Sequence, residues 1–192
     1  HRDLHSFPTR RSSDLIRYIT RKAAVSAYMA ERMPEAPVAA ARWLRAEERQ
    51  DRKNARVADK LVIALPKELK RQQQVELVHG FAEALTKGRA SWFAAIHAEG
   101  KDRANPHCHL LVRDRDVSSG TRVVMFSAGA KEAHERARKG KPGPTTLRMI
   151  RELWEQHGNK ALTAAGRPER IDRRSLMDQG ILRLPQVHEG PN

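Results

Sequence analysis

His97, His107 and His109 are the residues whose type and spacing point most directly to chemistry. Neutral imidazole is a good ligand for divalent first-row metals. Side chains alternate along a strand, so an H-x-H pair shares one face and Cys108 between them faces the other way. SWFAAIH at 91–97 ends on His97, HCHLLVR follows at 107–113, and nine mostly polar residues, 98–106, lie between. If that segment closes an antiparallel hairpin, His97 stands opposite or nearly opposite His107, with Cβ atoms about 5 Å apart. Three imidazoles then converge on one patch. Three protein ligands leave coordination positions open, the mark of a catalytic rather than a structural ion. The pattern alone admits a three-His metallohydrolase with water as nucleophile as well as chemistry on a phosphate. His79 and His157 fall on predicted helices, and His134 and His188 lie outside the pattern, so none of these is an expected ligand. Glu99 and Asp102, in the connecting loop, read as solvated charges.

The surrounding elements must hold this hairpin. Ile16, Ile19, Ala23 and Ala27 keep helical spacing, which predicts a helix over 16–30, stopped by Pro34 and Pro37. A charged helix is expected over 39–54, anchored by Trp43 and Leu44. Residues 61–65 form an apolar run ended by Pro66, as a buried strand would. Val75, Val78, Phe81, Ala82 and Leu85 mark an amphipathic helix that Gly88 stops, and Leu147, Ile150, Trp154, Ala161 and Leu162 mark a long one. Residues 128–144 are basic and end rich in Gly and Pro, as a connector. Gly140 to Pro144 lacks the Gly-Lys-Ser/Thr of a phosphate-binding loop. Two or three antiparallel strands packed with helices give an α+β fold, with the three-His site on its sheet.

The 192 residues suit one domain, and 39% hydrophobic content suits one modest core. Lys and Arg outnumber Asp and Glu by 37 to 23, for a net charge of +14, which favours a polyanionic partner. With one cysteine, Cys108, there is no internal disulfide framework. No apolar run reaches the roughly 18 residues that span a bilayer, and no secretory signal is visible, so no membrane insertion and a cytoplasmic location are expected.

SFPTRRSSDL, at 6–15, resembles the conceptual translation of a sequencing adapter. Residues 1–15 are therefore set apart as a non-native segment, leaving 16–192 as the functional domain. The segment holds three arginines against two aspartates, so the remainder keeps +13.

One stretch is recognisable. His97-Ala98-Glu99-Gly100, followed by Asn105-Pro106-His107-Cys108-His109-Leu110-Leu111, resembles the histidine motif of the MobA/MobL mobilisation relaxases, within the HUH endonucleases. The resemblance runs from about Ile16 to Asn192. It takes in Tyr18-Ile19-Thr20-Arg21, Ala64-Leu65-Pro66-Lys67-Glu68-Leu69, Ile171-Asp172-Arg173-Arg174-Ser175 and Pro185 through Asn192. It implies metal-dependent, strand-specific nicking of single-stranded origin-of-transfer DNA by a tyrosine, through a covalent 5′-phosphotyrosine, with later rejoining. Of the two tyrosines, Tyr18 falls at the family's nucleophile position, and Tyr28 is expected to be structural. Glu68 matches a position beside the metal, where a carboxylate orients a histidine. Expected DNA contacts are Arg21, Lys131, Arg136, Arg138, Lys139 and Lys141. The implied cofactor is a divalent ion, Mg²⁺ or Mn²⁺ first and Zn²⁺ as alternative. The implied partners are plasmid origin DNA, accessory mobilisation proteins and the coupling and secretion machinery of a bacterial cell. The family places a strand ahead of the tyrosine helix, where the adapter-like stretch stands here, and commonly continues beyond the position of Asn192, so truncation at both ends is expected. A replication initiator or transposase of the same superfamily, with the same chemistry, is the nearest alternative reading.

Overall fold

The computed structural model describes residues 12–50, 57–100, 103–125, 145–174 and 177–181. Its elements are α1 (Ser12–Ile19), β1 (Val25–Glu31), α2 (Pro37–Gln50), β2 (Asp59–Ala64), α3 (Arg71–Thr86), β3 (Ala90–His97), β4 (His107–Asp116), β5 (Val124–Met125), β6 (Thr145–Thr146) and α4 (Leu147–Ala164). The first four strands to pair form one antiparallel sheet in the order β1-β3-β4-β2. The short β5 and β6 pair parallel, apart from it.

β3, like β4, is an inner strand of the sheet, and its apolar sequence suits that place. All eight of its residues are buried, the condition of a strand covered on both faces. Trp92, Ala94 and Ile96 point one way, with Cys108, Leu110 and Val112 of β4, and meet Val78, Phe81 and Leu85 of α3. Phe93 and Ala95 point the other way, with Leu111, and meet Ile16 and Ile19 of α1 and Ala40, Ala41 and Leu44 of α2. α4 rests on the outside of α3, with Trp154 edge-on to Phe81 at 5.1 Å. Helices therefore cover both sides of the sheet. Among the described residues no helix is long and apolar enough to cross a membrane.

One sequence expectation needs correction. Residues 16–30 are not one helix: α1 ends at Ile19, a turn follows, and β1 begins at Val25. The 3.6-residue spacing through Ala23 and Ala27 was carried by alanines, which suit either state, while the exposed backbone of β3 offered a full ladder to residues 25–31. α1 itself starts at Ser12, inside the 1–15 segment. Ser12 and Ser13 are buried, and the Ser12 amide donates to Glu48 Oε1 of α2 at 2.6 Å.

The far end of β1 is clasped to α3. Arg32, which follows β1 in the left-handed conformation (φ 57°), donates from Nε to the Ala90 carbonyl at 2.8 Å and pairs with Glu83. Buried Trp92 donates from Nε1 to the same carboxylate at 2.7 Å. Burial opposes ionisation of Glu83, but the hydrogen bonds from Arg32 and Trp92 outweigh it and hold the carboxyl below its ordinary 4.5. Its contribution is thus complete above that pH and is lost as pH falls through the lower folded value. Glu83→Ala is expected to cost about 1–3 kcal/mol by leaving the indole donor unsatisfied, read as a lower urea midpoint at neutral pH with an unchanged slope.

Candidate metal centre

The β3–β4 hairpin has the register that the sequence suggests. His97 pairs with His107, and Ala95 with His109. All three imidazoles stand on the α1/α2 side of the sheet, at ring-centroid distances of 5.2, 4.6 and 5.0 Å, as a triangle of steeply inclined planes. One ligand atom from each lies within 4.8 Å of the others, and among the described residues this is the one group so disposed. Three neutral imidazoles at that spacing fit a single divalent ion, whose bonds to nitrogen are about 2.0–2.1 Å for zinc. His97 and His109 are 3% and 9% exposed, while His107 is half-buried and marks the open side. Cys108 points into the opposite core, and burial pushes its thiol up to about 12, which removes it as a thiolate ligand.

Backbone carbonyls orient two of the rings. Pro106 holds Asn105 out of the helical region, and the Asn105 carbonyl meets His107 Nδ1 at 3.0 Å. The Pro106 carbonyl accepts from the Leu65 amide at 2.8 Å, fixing the turn to the end of β2. The Ile19 carbonyl, at the end of α1, meets His97 Nε2 at 2.6 Å. A carbonyl only accepts, so these nitrogens carry the protons, and neutral rings offer His107 Nε2 and His97 Nδ1 as lone pairs. Sequence reasoning missed both carbonyls because a main-chain acceptor leaves no trace in residue type.

Tyr18 precedes Ile19, so the same contact that orients His97 fixes the end of the helix that carries the tyrosine. Tyr18 is 37% exposed. Arg21 donates from Nε to the Tyr18 carbonyl at 3.0 Å, and its guanidinium lies over the Tyr18 ring at 4.1 Å. Gly100, whose φ of +55° favours glycine, brings the loop between the ligand strands against the Ala23 carbonyl of the turn after α1. Arg17, Arg21 and Lys22, all exposed, give this end of the molecule a cationic rim.

Other residues singled out in the sequence lie on other elements or outside the described residues. Glu68, half-buried on the turn after β2, is not a member of the histidine group. Glu99 pairs with Arg71 at 2.8 Å, as a surface loop charge does. His79 packs on Trp92 beside Glu31, and His157 on Phe81, both away from the cluster. Lys131, Arg136, Arg138, Lys139 and Lys141, with Asp102, His134 and His188, lie outside the described residues. Tyr28 is on edge strand β1, not on a helix.

His97 is more than a rim residue. His97→Ala removes the donor from the Ile19 carbonyl, so the metal-free protein is expected to lose about 0.5–1.5 kcal/mol, seen as a lower thermal midpoint. His107→Ala, with no such tie to α1, should leave the midpoint nearly unchanged. Equal midpoints for the two variants would show that the contact does not hold the helix.

Comparison with known proteins gives a family match and several relatives. Residues 9–192 match the model of the MobA/MobL family. Mobilization protein A of Escherichia coli is 38% identical over 168 residues, 83% of this chain and 23% of that protein. A probable mobilization protein MobA of Bifidobacterium longum is 30% identical over 170 residues, 72% of this chain and 29% of that protein. The chain thus spans less than a third of either relative. A solved structure described as the molecular basis of vancomycin resistance transfer in Staphylococcus aureus shares the fold, with a TM-score of 0.55 and 22% identity over 79% of this chain and 76% of that one. With the family model matched along nearly its whole length, the chain belongs to the MobA/MobL family.

Proposed function

We propose that this chain is the nicking domain of a plasmid mobilisation relaxase, with Tyr18 as nucleophile and His97, His107 and His109 as metal ligands. The observation that carries the reading is the 2.6 Å contact between His97 and the Ile19 carbonyl, because it joins the tyrosine helix to the histidine group. His97, His107 and His109 would hold a divalent ion, Mg²⁺ or Mn²⁺ in this reading, which would supply positive charge to the scissile phosphate. Tyr18 Oη attacks phosphorus, the bond to the 3′ oxygen breaks, the phenol proton passes to solvent, and the leaving oxygen takes one up as a 3′ hydroxyl. The 5′ phosphate stays on Tyr18, so the energy of the broken bond is kept for rejoining. Arg21, fixed over the Tyr18 ring, puts a cation where phosphate meets nucleophile.

The proposed substrate is single-stranded origin DNA, and the wider partners are accessory mobilisation proteins and the coupling and secretion machinery, met in the bacterial cytoplasm. Glu68 and the basic segment from Lys131 to Lys141 keep their proposed roles, an orienting carboxylate and a phosphate-contacting arm.

The test is incubation with single-stranded origin DNA and Mg²⁺ or Mn²⁺. A protein–DNA band that persists in detergent, together with a fragment bearing a 3′ hydroxyl, is the expected result. Two free ends without an adduct would make water the nucleophile and favour the metallohydrolase. Binding should also weaken steeply with salt. Three phosphate contacts from Arg17, Arg21 and Lys22 alone give a log–log slope of about −2 on a single strand. A flat dependence would remove phosphate contact from the account.

A further inference from the structure

We propose that Tyr28 is a stacking site for one unpaired base of a single-stranded nucleic acid that passes the β1 edge of the sheet, on the face that carries the histidine group. This rests on the reading above only for the identity of the ligand. Tyr28 pairs with Ala95 and Ala95 with His109, so the three occupy one row across β1, β3 and β4 on the same face. Strands are spaced about 4.8 Å apart, which puts the Tyr28 and His109 backbones roughly 10 Å apart. Ala95 between them is fully buried against α1 and α2, so a nucleic-acid strand reaches Tyr28 from the outer edge of β1 and not over the row itself.

The ring is already held. It lies nearly parallel to Phe93, at 13° and 6.2 Å between centroids, and Phe93 is fully buried. One face of Tyr28 is therefore occupied by the core, yet the residue is 41% exposed on an edge strand. An aromatic group fixed before the ligand arrives loses little freedom on binding. Stacking on such a platform tolerates any base, because every base has a π face.

Charge favours the same ligand. Arg17, Arg21 and Lys22 are exposed on α1 and on the turn that leads into β1. Glu31, at the end of the strand, bonds His79 on the α3 side and does not oppose a phosphate at Tyr28. Cations that track a backbone, beside an aromatic ring that takes a base, are the pairing by which proteins hold single strands. A ring that merely covered Phe93 would have no bearing on affinity.

The experiment is an anisotropy titration of metal-free full chain with a fluorescently labelled single strand of mixed sequence. Tyr28→Ala is expected to weaken binding about 5- to 150-fold, with the salt slope unchanged. Tyr28→Phe and Tyr28→Trp should hold affinity within about twofold of wild type, because the ring and not the hydroxyl makes the contact. Tyr28→Leu keeps Phe93 covered without a π face, so it should bind as weakly as the alanine variant while melting near the wild type. Wild-type affinity in the Leu variant, or equal losses for Phe and Ala, would overturn the proposal. A wild-type protein that binds the strand but forms no adduct with origin DNA would defeat the nickase reading and leave the stacking site standing. Failure of the wild type to bind any single strand would end both.

Discussion

Tyr18→Phe is expected to abolish the covalent protein–DNA adduct and the freed 3′-hydroxyl fragment together, to below detection on a denaturing gel. The substitution removes one oxygen and nothing else. Tyr18 is 37% exposed at the end of α1, and the helix is held by Ile16 and Ile19 in the core and by the Ile19 carbonyl on His97. A surface change of this kind alters stability by about 0.5 kcal/mol at most, so loss of product cannot be charged to unfolding. Strand affinity should also persist, since the phenylalanine ring still receives Arg21. Proteolysis of the wild-type adduct should place the modified peptide at Tyr18. An adduct that survives in the variant would move the nucleophile elsewhere, even with family membership intact.

His109→Ala should lose metal binding and adduct formation in step. Removing a residue that merely orients a ligand costs about 10–100-fold in metal affinity, and removing a ligand is expected to cost more. Titration of Mn²⁺ into the protein reads this without reference to catalysis. The fold should persist, because the neighbouring core positions Cys108, Leu110 and Leu111 keep the β4 register. Wild-type Mn²⁺ affinity in the variant would break the three-ligand assignment, and adduct formation without metal binding would separate the ion from the reaction.

The part of this site legible in the sequence is the part built from one local hairpin. Alternation set His107 and His109 on one face and Cys108 on the other, and the nine-residue loop fixed His97 opposite His107; both hold in the structure. The long helices followed from their apolar spacing, since α3 and α4 bury one stripe each. The passage from Ile19 to Val25 was not legible. No glycine or proline marks it, and VSAYMAE has no clear period. It is a strand because β3 has an open ladder there, a fact of tertiary structure. Misplacing β1 hid the most informative consequence, that Tyr28 belongs to the face that carries the histidines. β2 was read as buried, yet Lys60, Val62 and Ala64 are exposed beside that same site.

The contact between Ile19 and His97 spans 78 residues, and this separation orders how the site comes into being. The ligand trio closes over a short loop and can form as soon as the hairpin does. Docking α1 closes a far longer one, and a longer closure is entropically dearer and slower to find. On a ribosome the tyrosine helix is made before β3 and can pack on α2, but its end is not fixed to the histidine group until β3 has been synthesised. The proposed nucleophile is therefore among the first parts of the site to be made, and its final placement waits on His97.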